Sequence, residues 1–130
     1  MSTSSKPEAL IREYTEVWST PDGSRRHELV QKLWNEKATL YINHPQVASF
    51  HGLANIEAHI TFVSEKEIQG HGLRFDSFYD TVSRNYNVIK FSWQTLDSTE
   101  KAVADGMDFM VYDDDDRIIS DYMFIKEINR

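Results

Sequence analysis

The sequence predicts an α+β domain in which helices precede a bent antiparallel sheet. Apolar residues recur at helical spacing in the first half of the chain, whereas they alternate with polar residues from Leu73 onwards. Three helices, one short strand and four long strands are expected from this change of period. Helices that are separated in sequence from a run of antiparallel strands usually pack on one face of the sheet. We therefore expect the three helices to close one side of it.

Composition narrows the class of protein. The chain has 130 residues, the size of one domain over residues 1–130, and its net charge is −7 from 14 basic and 21 acidic side chains. It has no Lys/Arg-rich run, so neither nucleic acid nor a membrane is expected as a partner. It has no cysteine, which excludes disulfides and thiolate metal sites. With no apolar signal segment or membrane-length apolar run, a soluble cytoplasmic protein is expected.

The helices are predicted from their caps and apolar stripes. Ser5-Lys6-Pro7-Glu8 is a capping box that begins the first helix, and the turn formers of residues 19–23 end it. Ser24 is expected to start the second helix, and the third runs from Leu53 to about Ile68. The stripe of the first helix consists of Leu10, Ile11, Tyr14, Val17 and Trp18.

Strands account for most of the remaining chain. Residues 38–43 form a short predicted strand, closed by His44-Pro45, and residues 46–52 are expected to be a loop. A change in apolar phase predicts a β-bulge near Ser77 in the next strand. The acidic run of residues 113–116 is interpreted as a hairpin turn, because it lacks the glycine and the distal glutamate of a calcium loop.

The strand of residues 103–111 is apolar on both faces. One predicted face carries Ala104, Gly106, Asp108 and Met110, and the other carries Val103, Met107, Phe109 and Val111. Since three helices can cover only one side of a sheet, the second face is expected to pack against another copy of the chain. A homodimer is therefore predicted.

Asp108 is the main candidate functional residue, because it lies in the middle of an apolar run and is flanked by Gly106, Met107, Phe109 and Met110. Burying a carboxylate is costly unless it has hydrogen-bond partners. Two interpretations stay open: a pocket carboxyl that contacts a ligand, or a structural carboxylate bonded to a tyrosine or tryptophan inside the fold.

The pattern resembles the nuclear transport factor 2-like superfamily, in its SnoaL-like and ketosteroid isomerase-like branch. The resemblance extends over most of the chain and depends on the order of several short segments. These segments are Tyr14 to Trp18, Trp34 to Pro45, Gly52-Leu53 with Ile56, Phe91-Ser-Trp93, Gly106-Met-Asp108, and Asp116-Arg-Ile118 with Phe124. It implies a cone-shaped sheet around a pocket, and dimerisation through the outer face of that sheet.

The resemblance also implies roles for three residues. Asp108 falls where an isomerase or cyclase of this branch places a pocket acid, and Tyr14 falls where the isomerases present a hydrogen-bonding tyrosine. His44 occupies the position before the proline where an isomerase carries its aspartate base, so a histidine replaces that aspartate here. Members that act as epoxide hydrolases pair two aspartates across an arginine. That chemistry is not expected, since the neighbouring strand of residues 87–96 has no acid.

The favoured function is acid–base chemistry on a small, apolar, carbonyl-type compound, as in an isomerase, cyclase or dehydratase. His44 would move the proton, while Tyr14 and Asp108 would stabilise the developing enolate. Neither a cofactor nor a metal is expected. The alternatives are a non-catalytic small-ligand-binding protein and a dimerisation module with a filled cone. The aromatic residues expected to line the pocket are Trp18, Phe62, Phe75 and Trp93.

Overall fold

The computed structural model describes residues 5–128 and confirms the α+β class. The elements in chain order are α1 (Lys6–Ser19), α2 (Gly23–Leu33), β1 (Trp34–Ile42), β2 (Ala48–His51), α3 (Leu53–Phe62), a π-helical segment (Val63–Gln69), β3 (Arg74–Asn85), β4 (Val88–Leu96), β5 (Ala102–Tyr112) and β6 (Ile118–Glu127). Three α-helices therefore precede the four long strands, as predicted.

The strands form one six-stranded sheet in the order β2-β1-β6-β5-β4-β3. Neighbouring strands are antiparallel except β1 and β6, which are parallel, so the sheet is mixed and not wholly antiparallel. The parallel pair joins the first strand of the chain to the last. As a result β6 is a central strand with β1 and β5 on its two sides.

The helix caps match the sequence closely. Ser5 Oγ accepts a hydrogen bond from the Glu8 backbone N–H at 3.2 Å, which makes Ser5 the N-cap of α1. Asp22 caps α2 by accepting from the backbone N–H of Ser24 at 2.9 Å, so this helix begins one residue earlier than predicted. The helix α3 continues without a break into the π-helical segment, where the wider turn was not visible from apolar spacing.

Two predictions about the short strands were wrong. Residues 46–52 are not all loop, since β2 pairs with β1 through Leu40 opposite Phe50. The strand β1 begins at Trp34, four residues before the predicted start. The predicted bulge in β3 is present as a shift in register between Phe78 and Ser83, slightly beyond Ser77.

The strand β5 has two faces, as predicted, with one exception. Asp108, Met110 and Tyr112 are buried on the face toward the helices, and Phe109 is exposed on the opposite face. Val103 was predicted to lie on the exposed face, but it lines a cavity between the helices and the sheet, which is described below. The register between β4 and β5 shifts there, with Thr95 opposite Ala104 and Leu96 opposite Ala102. A bulge of this kind turns the extra residue out of strict alternation.

No helix within residues 5–128 is long and apolar enough to cross a membrane.

Candidate functional site

A cavity of about 730 Å³ lies between the helices and the inner face of the sheet. Its walls are mainly apolar. They come from α1, α3, the π-helical segment and several strands or strand ends. The lining residues are Trp18, Ile42, His44, Pro45, His59, Phe62, Val63, Glu67, Ile68, Leu73, Phe75, Trp93, Thr95, Val103, Ala104, Met123, Ile125 and Glu127. A space of this size and lining fits a small apolar molecule with a few polar groups.

His44 lies just beyond the end of β1, on the wall of this cavity. Its Nε2 atom is 3.2 Å from Oε2 of Glu127, the last residue of β6. The parallel pairing of β1 with β6 brings these two strand ends together. A carboxylate beside one ring nitrogen orients the imidazole and favours a proton on that nitrogen, which leaves the other nitrogen free to accept one.

His59 is a second histidine on the cavity wall, contributed by α3. Its ring stacks on Phe50 with the centroids 4.0 Å apart, and the ring of Trp18 lies edge-on to it at 6.2 Å. Burial lowers the pKa of His59, because the charged imidazolium is poorly solvated there. Its imidazole is therefore neutral near neutral pH, the form that can accept a proton.

Behind the cavity wall, Tyr14, Asp108, Asp121 and Trp93 form a buried cluster that we call the acid cluster. Tyr14 Oη lies 2.7 Å from Asp108 Oδ2 and 2.6 Å from Asp121 Oδ2. Trp93 donates its indole N–H to Asp108 Oδ1 at 2.8 Å. Tyr14 and both aspartates have no exposed surface. One tyrosine therefore links two buried acids that stand side by side on β5 and β6.

Burial shifts the pKa values of all three ionisable groups. It raises the pKa of Asp121 well above its ordinary value, and the neighbouring charge of Asp108 raises it further. Burial also raises the pKa of Asp108, although hydrogen bonds with Asp121, Tyr14 and Trp93 oppose the shift. The pKa of Tyr14 is raised by burial and then by the two acids. Of the two carboxyls, Asp121 is the one that holds a proton more tightly.

The structure divides the predicted site residues into two groups. His44, Trp18, Phe62, Phe75 and Trp93 all line the cavity. The other two, Tyr14 and Asp108, are bonded to each other in the acid cluster and do not line it. Trp93 belongs to both groups, because its ring lines the cavity while its N–H bonds Asp108.

Sequence reasoning missed Asp121 as a partner of Asp108. The signal was present, because Asp121 stands in the run IISDYMFI as Asp108 stands in its own apolar strand. Its position opposite Met110, in register with the inward face of β5, identifies it as buried. The sequence gives no comparable signal for His59. Its place on the cavity wall depends on the packing of α3.

A second acid does lie beside Asp108, although none was expected from β4. It is Asp121 of β6, the strand on the other side of β5. The pair is present, but a tyrosine bonds both carboxyls where the epoxide hydrolases have an arginine. Among residues 5–128 no arginine is hydrogen-bonded to either aspartate, and the buried Arg26 bonds Thr20 and Ser64 instead.

Within the described part of the chain, no group of three histidine, aspartate or glutamate residues is placed to hold a metal ion. The chemistry available in the cavity comes from the two histidines, the rim carboxylates Glu67 and Glu127, and the aromatic walls.

Comparison with known proteins gives matches in three dimensions only. Neither protein-family models nor curated proteins match the sequence. Among solved structures, a candidate isomerase of the SnoaL-like family from Agrobacterium tumefaciens is similar, with a TM-score of 0.77 and 25% identity, covering 91% of this chain and 95% of that one.

Two further structures show the same fold at lower identity. A candidate polyketide cyclase from Acidithiobacillus ferrooxidans has a TM-score of 0.65 at 18% identity, covering 96% of this chain and 91% of that one. A nuclear transport factor 2-like protein of unknown function from Cytophaga hutchinsonii has a TM-score of 0.62 at 10% identity, covering 97% and 95%. These likenesses span nearly the whole of each chain. The protein therefore has the fold of the nuclear transport factor 2-like superfamily, and it is similar in structure to a SnoaL-like member.

Proposed function

We propose that the protein binds a small, largely apolar carbonyl compound in the cavity and moves a proton on it. The observation that carries this proposal is a mainly apolar cavity of about 730 Å³ whose wall includes two imidazole side chains, those of His44 and His59. The candidate isomerase and polyketide cyclases of the same fold lend support to an isomerase, cyclase or dehydratase reaction.

His44 is the proposed base. Because the Glu127 carboxylate 3.2 Å from Nε2 favours a proton on that nitrogen, the Nδ1 lone pair can take a proton from the carbon beside a ligand carbonyl and return it at another position. This arrangement of a base oriented by a carboxylate is common to many acid–base sites. His59, neutral because its pKa is lowered, is the proposed second proton carrier. Tyr14 and Asp108 support the wall and are not assigned to substrate contact in this proposal.

Deuterium exchange tests the proton transfer directly. The protein is incubated in D2O with a panel of cyclic ketones, and deuterium incorporated beside the carbonyl is measured by mass spectrometry. The expected result is exchange above the buffer rate that is lost in His44→Gln. His27→Gln is the matched control, because His27 lies on the surface of α2, paired with Glu57. Exchange that is equal in wild type and His44→Gln would refute the assignment of the base.

A non-catalytic binding protein is the second candidate. It is favoured by the position of the acid cluster, which has no exposed surface on its acids or Tyr14 and so cannot deliver a proton to a ligand from its present place. In that case a neutral apolar dye such as Nile red should bind the wild type and His44→Gln equally, and no ketone should exchange. The open cavity argues against the third alternative, a cone filled by its own side chains.

We also propose that the protein is a homodimer through the outer face of the sheet. In cross-strand register, Tyr41, Tyr122 and Phe109 form one row and Phe124, Met107 and Phe78 lie along the next. Tyr41 and Tyr122 stack with ring centroids 4.6 Å apart. Several of these side chains are more than a third exposed, including Phe124 at 53% and Phe109 at 39%.

A second copy is the partner that this face fits best. Next to the apolar rows, Asp105 lies beside Lys126 in register, so a two-fold related copy can oppose each charge with its opposite. A stable interface needs about 1,000 Å² of buried area, which an aromatic face on four strands can supply. Sedimentation equilibrium should give twice the chain mass at micromolar concentration. A monomer under those conditions would overturn this proposal.

A further inference from the structure

The short contacts of the acid cluster require one of its two carboxyl groups to be protonated. If both aspartates were ionised, the Tyr14 hydroxyl would supply a single hydrogen for two short oxygen–oxygen contacts. Tyr14 Oη is within 2.7 Å of an oxygen of each aspartate. A phenol has one hydrogen and can donate it to one carboxyl only. The second short contact then requires a hydrogen from the other carboxyl, since two lone-pair oxygens at that distance repel. One of the two acids is therefore protonated.

The remaining contacts identify which acid is neutral. Asp108 has donors on both oxygens, Trp93 on Oδ1 and Tyr14 on Oδ2. Asp121 Oδ1 is buried and has no hydrogen-bond partner among the described residues. A buried charge is stabilised where donors surround it, so the negative charge belongs on Asp108 and the proton on Asp121. The direction of donation is then from Asp121 to Tyr14 and from Tyr14 to Asp108.

We propose that Asp121 is a neutral acid at neutral pH, and that the single charge left on Asp108 makes it a positioning residue for Trp93. Trp93 is the one member of the acid cluster that lines the cavity. A charged acceptor holds a donor more strongly than a neutral one, so the charge fixes the indole plane that forms this part of the wall. The effect of this fixed indole on ligand binding rests on the proposed function, whereas the location of the proton does not.

The location of the proton is tested on the wild-type protein by infrared spectroscopy. With aspartate labelled by carbon-13, one protonated carboxyl band should be present at neutral pH, and Asp121→Asn should remove it. Asp105→Asn is the matched control, because Asp105 lies on the exposed face of the same sheet beside β6 and should leave the band unchanged. A wild type without the band, or a band that persists in Asp121→Asn, would overturn the proposal.

The positioning role is tested by exchange of the Trp93 indole hydrogen, identified in the nitrogen-15 spectrum by its loss in Trp93→Phe. The amide introduced by Asp121→Asn can donate to Tyr14 as the acid does, so this variant should leave the exchange rate of the indole hydrogen unchanged. The substitution Asp108→Asn replaces a charged acceptor with a neutral one, so it should speed exchange about tenfold. Equal rates in the two variants would contradict the assignment of the charge.

A ligand-binding experiment on the same variants distinguishes a failure of this inference from a failure of the proposed function. Nile red should bind Asp121→Asn as it binds the wild type, and should bind Asp108→Asn more weakly because the Trp93 wall is no longer fixed. Unchanged affinity in Asp108→Asn would refute a positioning role toward ligands. If Nile red binds none of the three proteins, the proposed function fails, and the infrared and exchange results still decide the location of the proton.

Discussion

The ring of Trp93 lies directly beneath Gly106, its cross-strand neighbour on β5. A β-carbon at position 106 would be 2.5 Å from Trp93 Cζ2 and closer still to the backbone oxygen of Phe124. Trp93 therefore contributes both to the internal cavity and to the floor of a groove of about 510 Å³ on the outer face. The missing side chain at Gly106 is what allows one indole to separate the two surfaces.

Gly106→Ala should destabilise the fold, because neither the Phe124 backbone nor the bonded indole can move away at low cost. Overpacking of this kind costs about 1–3 kcal/mol in the free energy of unfolding. Urea denaturation measures it. Gly23→Ala is the control, since nothing lies within 4 Å of a β-carbon built at Gly23, and it should not lower stability. Equal stability of Gly106→Ala and wild type would mean that Trp93 is not fixed beneath this glycine.

Tyr14→Phe should cost about 1–3 kcal/mol of stability, although the ring is retained, because buried polar atoms lose their partner. Asp108 Oδ2 and Asp121 Oδ2 both bond the Tyr14 hydroxyl, so its removal leaves two acids without the group between them. Thermal or urea unfolding gives the value. Tyr86→Phe is the control, since Tyr86 is 92% exposed, and it should change stability little. If Tyr14→Phe were as stable as the wild type, the two acids would be satisfying each other's hydrogen bonds without the phenol.

Much of the fold could be predicted from the sequence because its signals are local. The Ser5 cap, the helical stripe of α1 and the period-two pattern of β4 each depend on residues a few positions apart. The strand β2 and the parallel pairing of β1 with β6 depend on contacts between distant segments, and those were missed.

The candidate site shows the same division. That Asp108 is buried follows from its own strand, but its partners come from three other elements, α1, β4 and β6. Whether an inward side chain reaches the cavity or lies behind its wall depends on which neighbour stands in front of it. For Asp108 that neighbour is Trp93, whose interposed ring has no signature in the sequence.

Met107→Lys should dissociate the proposed dimer, because it places a charge within the apolar rows of the outer face, between Phe124 and Ser92. Sedimentation velocity should change from a dimer to a monomer, while binding of Nile red in the cavity on the other face is retained. Gln31→Lys adds the same charge on an exposed position of α2 and should leave the dimer intact. A Met107→Lys protein that sediments as a dimer would place the interface elsewhere.

The stability of Asp121→Asn relative to the wild type should depend on pH. In the unfolded chain Asp121 has an ordinary pKa near 3.8, whereas in the folded protein burial and the charge of Asp108 raise its pKa well above that value. Between these two pKa values the folded state binds one more proton than the unfolded state. The stability that Asp121 contributes is thus complete below the unfolded pKa and is lost as pH rises toward the folded pKa, by up to about 1.4 kcal/mol per pH unit. The amide that replaces the acid in Asp121→Asn does not titrate and has no such dependence.

Urea unfolding of both proteins at intervals from pH 5 to pH 8 measures this difference. The advantage of wild type over Asp121→Asn should be largest at pH 5 and should decline as pH rises. The other titratable groups around the cluster are Asp108, Tyr14 and Tyr112, the last two with pKa values raised by burial and so neutral over this range. Gln31→Asn, at an exposed position of α2, changes no titratable group and should differ from wild type by a constant amount. An advantage of wild type that grows with pH would reverse the sign and place an ionised carboxylate at Asp121.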